Sequence, residues 1–107
     1  MSYFTIAQIK RANADAGHHF FERSTMRFFD SRIASRHPIG GRYFVTSERF
    51  SLAYPRLYTV RECGENGHVN TVGKFQAYIT VEAAKRAAEQ LAREDTENWK
   101  RENGIIA

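Results

Sequence analysis

Residues 18–33, His18-His19-Phe20-Phe21-Glu22-Arg23-Ser24-Thr25-Met26-Arg27-Phe28-Phe29-Asp30-Ser31-Arg32-Ile33, set two phenylalanine pairs on either side of a polar turn and thread Arg23, Arg27 and Arg32 among them. Adjacent apolar residues point to opposite faces of a strand but to nearly the same third of a helix, so the pairs alone leave the local structure open. Ser24 or Thr25 is placed to cap one helical turn running through Met26 to Phe29. We read residues 18–21 as extended, 24–30 as a short helical or turn segment, and the chain after Asp30 as a loop. In this reading the double phenylalanines are interior anchors, and the neighbouring arginines face outward as one positive surface.

Upstream, Phe4-Thr5-Ile6-Ala7-Gln8-Ile9 carries a helix start: Thr5 as N-cap, Gln8 completing a capping box, and Phe4 stapling onto Ile9. Ile6, Ile9 and Asn13 share one side, Lys10 and Arg11 the other, and Gly17 provides the left-handed stop. Residues 5–16 are therefore expected to form a short amphipathic helix that needs something to dock on.

Downstream, Arg36-His37-Pro38-Ile39-Gly40-Gly41 breaks any regular element. Residues 42–46, Arg-Tyr-Phe-Val-Thr, are strand formers. Residues 56–62 alternate Leu57, Thr59 and Arg61 against Tyr58 and Val60, the pattern of a strand with one buried face. Gly64-Glu65-Asn66-Gly67 is a hairpin turn, since Asn-Gly accepts the positive φ such turns demand. The return strand is expected from His68 to about Phe75, with Gly73 a bulge. Thr80 caps a second helix on which Val81, Ala84, Ala88 and Leu91 recur at helical spacing and the extra alanines permit close approach to a sheet. That helix is expected to run to about Asn98, with Trp99 covering the core edge and Gly104 and the terminus frayed.

At 107 residues, with 42% hydrophobic and 13% aromatic residues, the chain is expected to be a single domain with an ordered core over about 4–99. A lone cysteine, Cys63, forms no internal bridge, and no apolar run approaches the roughly 18 residues of a membrane span. A reducing cytoplasm without membrane contact is the expectation. The net charge is +4, and the excess lies in the first half: residues 1–61 hold ten Lys and Arg against four acids, residues 62–107 six against eight. Twelve of the sixteen cations are Arg, which suits phosphate or carboxylate recognition and stacking.

His18, His19, His37, His68 and Cys63 lack the spacing of a zinc site, and Cys63 at a strand end reads as a packing cysteine. Carboxylates paired for acid–base work are missing from the first half, and Gly40-Gly41 lacks the strand and lysine of a phosphate loop, so neither an enzyme nor a cofactor is expected. Basic residues interleaved with aromatics are the positive signal: Arg27 between Met26 and Phe28, Arg42 beside Tyr43, Arg56 near Tyr58. Arg23, Arg27, Arg32, Arg36 and Arg42 are the candidate partner-binding residues.

Thr25-Met26-Arg27-Phe28-Phe29 with Ser31-Arg32-Ile33, then Phe44-Val45-Thr46-Ser47-Glu48, then Tyr58-Thr59-Val60-Arg61, resemble a small family of unknown function found in phages and prophages. The resemblance spans residues 4 to about 92 and brings no catalytic residue with it. It implies an accessory protein working in a bacterial host cytoplasm, where such genes often encode inhibitors of host defence or host enzymes. A looser resemblance, in element order, is to the double-stranded RNA-binding fold. That family begins its second helix with a basic cluster, whereas Thr80-Val81-Glu82-Ala83-Ala84-Lys85 supplies one cation and one acid.

The expected architecture is α+β: an N-terminal helix, an irregular aromatic segment, a three-stranded antiparallel sheet, and a C-terminal helix packed on the sheet. The expected function is non-enzymatic binding and inhibition of a host protein or nucleoprotein complex, anti-defence or anti-CRISPR-like. The alternative is a nucleic-acid-binding module using the same Arg and aromatic face.

Overall fold

The computed structural model describes residues 2–104. The elements are α1 (Ile6–Asp15), α2 (Arg23–Met26), a single 3-10 turn (Phe28–Asp30), β1 (Arg32–Ile33), β2 (Tyr43–Glu48), β3 (Leu57–Cys63), β4 (Val69–Val72) and α3 (Val81–Glu102). The strands form one antiparallel sheet in the order β1-β2-β3-β4. The fold is thus α+β as expected, with four strands rather than three. The added strand is Arg32–Ile33, two residues paired with Ser47 and Thr46, too short for an alternating pattern to reveal.

Both faces of the sheet carry buried residues, which corrects the expectation that the 56–62 strand buries only one: neighbouring Thr59 and Val60 are both buried. Every residue of β2 is buried, and alternation along it divides the molecule into two cores. Tyr43 and Val45, with Val60 of β3, pack against Ala84 and Ala88 of α3. Phe44 and Cys63 point the other way and meet Tyr3, Ile9, Phe20 and Phe21. Alanine on α3 lets the helix lie close, and the loop before β2 also crosses it tightly: a Cβ on Gly40 would fall 2.3 Å from that of Ala92. Tyr43 donates to Asp95 Oδ2 at 2.7 Å, and Arg42 bridges Glu62 (2.9 Å) and Asp95 (3.0 Å), fastening β2 and β3 to the distal half of α3.

On the opposite face Asn13 is the joint. Its Nδ2 donates to Gly67 O at 2.8 Å and its Oδ1 accepts from Phe20 N at 3.2 Å, so one buried side chain ties α1, the aromatic segment and the β3–β4 turn. Gly67 has φ +74, and a Cβ there would sit 2.3 Å from Ala12 O. The turn is glycine both for its own geometry and because α1 lies directly on it.

The capping box at Thr5 and Gln8 is present, and Thr80 accepts from Ala83 N. The Phe4 staple is not: Phe4 is 81% exposed, and Tyr3 is buried instead, its hydroxyl donating to Gly64 O at 2.8 Å. Strand β4 ends at Val72 rather than Phe75, because Gly73 at φ +74 turns the chain out of the ladder instead of bulging within it. Helix α3 continues to Glu102 with Trp99 inside it and 56% exposed, not on the core edge. No breaker precedes Gly104, Lys100 and Arg101 sit favourably in the last turn, and Asn103 Nδ2 donates to Trp99 O at 2.8 Å. Of the fraying expected at the chain end, Gly104 is an exposed turn residue whose N donates to Arg101 O at 3.3 Å, and residues 105–107 lie outside the described residues.

Gly67→Ala is expected to destabilise the protein by about 3 kcal/mol or more, combining a left-handed backbone with collision against α1. Gly17→Ala, where φ is +84 but the space is open, should cost about 1 kcal/mol. Urea unfolding of the two variants measures the difference.

Candidate functional site

The segment after α1 crosses the Phe44 face of the sheet without fully covering it. Phe20 and Phe21 lie against Phe44, with ring centroids 6.3 and 5.9 Å from it, and act as the expected anchors. The second pair splits: Phe28 is 64% exposed, whereas Phe29 is half-buried. The chain turns there through two consecutive left-handed residues, Phe29 (φ 56) and Asp30 (φ 51), each a costly conformation for a side chain with a Cβ.

Two arginines hold that turn. Arg49 N donates to Phe29 O at 2.7 Å and its Nε meets Asp30 Oδ2, while Arg56 donates from Nη1 to Asp30 O at 3.1 Å and from Nη2 to Asp30 Oδ2 at 3.3 Å. The hydrogen bond from Arg49, then the nearby charges of Arg49, Arg56 and Arg32, keep the Asp30 carboxyl below its usual range. Desolvation lowers the pKa of Arg56, with Arg32 and Arg49 adding repulsion.

Between this turn and the sheet lies a cavity of about 370 Å³ lined by Phe20, Thr25, Met26, Phe28, Phe29, Ser31, Thr46, Glu48, Arg61 and Phe75. Its polar end is a network built across β2 and β3. Glu48, 1% exposed, accepts from Arg61 Nη2 (2.8 Å) and Thr46 Oγ1 through Oε1, and from Thr59 Oγ1 (2.9 Å) through Oε2. Arg61 also donates from Nε to Thr46 Oγ1 at 2.9 Å and from Nη1 to Thr71 Oγ1. Its guanidinium lies 5.3 Å from the Phe20 ring and 5.4 Å from that of Phe75. The register explains the assembly: Thr46 faces Thr59 and Arg61 faces Thr71, so alternate positions of three strands share one surface.

A family model matches residues 5–89. The chain belongs to the family of unknown function DUF7447. Every lining residue of the cavity, from Phe20 to Phe75, falls inside the span matched to DUF7447, whereas the part of α3 past residue 89 falls beyond it. No curated protein and no solved structure matches the sequence.

The arginines singled out from the sequence are dispersed. Arg23 and Arg27 are exposed on and just after α2, on the cavity side of the sheet; Arg32 is exposed on the edge strand and Arg36 on the loop after it. Arg42 is half-buried in its bridge to Glu62 and Asp95, on the α3 side. The expectation of one continuous positive surface therefore fails at Arg42, which the sheet separates from Arg23 and Arg27. Among the described residues no group of three or more metal-binding side chains comes together. His18 and His68 meet edge to face at 5.0 Å, and Cys63, whose thiol pKa is raised by burial, contacts Gly64 O rather than an imidazole.

Sequence reasoning missed Glu48, Thr59 and Arg61. The available signal was polar residues at alternate positions of two neighbouring strands, Thr46 and Glu48 on one and Thr59 and Arg61 on the other.

Arg61→Met should destabilise the fold by about 3 to 5 kcal/mol, because it strands the Glu48 carboxylate. Glu48→Gln with Arg61→Met should recover part of that loss, as read by calorimetry. The Asp30 clasp contributes fully above the ordinary aspartate value of 3.8 and is lost as pH falls through the lowered folded value. Thermal scans across acid pH should show this component in the parent chain and not in Asp30→Asn.

Proposed function

We propose that the protein is a non-enzymatic binding domain that docks a partner macromolecule on the aromatic rim of this cavity and acts by occupying the partner's surface. The observation that carries the reading is the rim itself. Phe28, Phe50, Tyr54 and Phe75 are all exposed and linked through Phe29: the ring centroids are 4.0 Å apart for Phe28–Phe29, 5.2 Å for Phe29–Phe50, 6.1 Å for Phe29–Phe75 and 5.7 Å for Phe50–Tyr54. Leu52, beside them in sequence, is exposed as well. Contiguous apolar surface of this kind marks interaction sites, and exposed aromatics are the residue type that most often anchors them.

The resemblance to phage and prophage proteins supports a host protein or nucleoprotein complex as the partner, in a bacterial cytoplasm, with inhibition of a defence system or host enzyme as the result. Arg23 and Arg27 flank the rim and steer the approach; Arg32, Arg36 and Arg42 complete the set of charges to test. Direct nucleic-acid binding through the same face is the second reading, favoured by the contact of Arg61 with Phe20 and Phe75 and by the exposure of Arg23 and Arg27.

Affinity capture from a bacterial lysate, with and without nuclease, tests both. Capture of one host complex that survives nuclease and weakens at least about tenfold in Phe28→Ala with Phe50→Ala is expected. Binding of unrelated DNA or RNA with a salt slope near −5, as about six phosphate contacts would give, establishes the second reading instead.

A further inference from the structure

We propose that the cavity beneath the rim is a nucleobase-binding site. This goes beyond the docking surface, since it concerns a half-open recess with its own polar end rather than the outer rings. At about 370 Å³ the cavity lies at the small end of ligand sites, room for one or two fused rings. Its walls are Phe20, Phe28, Phe29, Phe75 and Met26, which offer π faces and a polarizable thioether to a flat ligand.

The polar end selects among flat ligands. A guanidinium has five N–H groups, and three of those on Arg61 are used by Thr46, Thr71 and Glu48, so one hydrogen on each terminal nitrogen has no partner among the described residues. Glu48 Oε1 takes two hydrogen bonds and Oε2 only one, so an acceptor position also stays open. A hydrocarbon ring would desolvate the open guanidinium hydrogens and satisfy neither them nor the already buried carboxylate. A Trp anchor would offer one donor to Glu48 and leave the guanidinium hydrogens unmet, whereas a Tyr hydroxyl would have to serve both groups from a single oxygen. The charges of Glu48 and Arg61 cancel as a pair, so neither an anion nor a cation gains a net attraction at this end. A neutral ring whose edge sets an acceptor beside a donor answers both, and that is the edge a nucleobase presents. Arg27 and Lys74, each exposed and each next in sequence to a wall residue, are the cations nearest in the chain to a phosphate emerging from the recess.

The test is a nuclear magnetic resonance titration of the full chain with the four ribonucleoside 5′-monophosphates, a short mixed-sequence single strand, and ribose 5-phosphate as control. The expected result is saturable shifts at Phe20, Phe28, Phe29, Arg61 and Phe75 for at least one base and none for ribose 5-phosphate. Thr25→Trp, which fills the mouth from an exposed position, should weaken binding about tenfold or more while the signals of β2 and β3 stay in place. Equal affinity for monophosphate and strand identifies a free nucleotide as the source of the base; tighter, salt-sensitive binding of the strand identifies single-stranded nucleic acid. The proposal is overturned by the absence of shifts at about 10 mM monophosphate, by equal shifts with ribose 5-phosphate, or by binding that Thr25→Trp leaves untouched. It is equally overturned if a captured host protein needs the open cavity while no base enters it, which would leave the docking reading standing.

Discussion

The ion pair of Glu48 and Arg61 is the constraint around which this molecule is arranged. Removing a carboxylate and a guanidinium from water costs several kcal/mol per group, and their mutual attraction offsets this only if the remaining lone pairs and hydrogens are met. Here Thr46, Thr59 and Thr71 meet most of them, each from the same face of a different strand. That requirement specifies the register of three strands at once, since a slip by one residue would carry the partners to the α3 face and leave the charges stranded. The aromatic segment answers the same need: Phe20 and Phe75 cover the guanidinium on a surface that no helix closes.

Much of the positive charge in the first half of the chain is thereby spent inside the structure. Arg49 and Arg56 hold the left-handed turn at Phe29 and Asp30, Arg61 neutralises Glu48, and Arg42 bridges to α3. The four acids of that half include Asp30 and Glu48, both partners in these bridges. A chain-level charge count thus overstates what a partner meets at the surface, where the more distinctive feature is a row of phenylalanine and tyrosine rings.

The elements whose rules act within a few residues were legible beforehand. Thr5 with Gln8, Thr80, the Asn66-Gly67 turn and the alanine face of α3 depend on local geometry, and the structure has all of them where the sequence places them. What stayed hidden depends on pairing between distant residues. The two-residue strand at Arg32 exists only because β2 offers its edge, and the positive φ at Phe29 and Asp30 is enforced by Arg49 and Arg56, 19 and 26 residues beyond Asp30. Counting basic residues pointed to Arg23, Arg27, Arg32, Arg36 and Arg42, whereas the cavity gathers Glu48 and Arg61, which polar alternation marks on each strand but only the cross-strand register brings together.

The joint at Asn13 has a consequence for the order in which the chain acquires its structure. The carbonyl it needs belongs to Gly67, 54 residues later, and Ile9 packs with Phe44 and Cys63 of the sheet, so α1 has its full footing only once β2, β3 and the hairpin to β4 exist. A helix of ten residues is marginal by itself in water. Helix α1, though it precedes the sheet in the chain, is therefore among the last elements to become ordered, its two isoleucines waiting in solvent until the sheet has assembled.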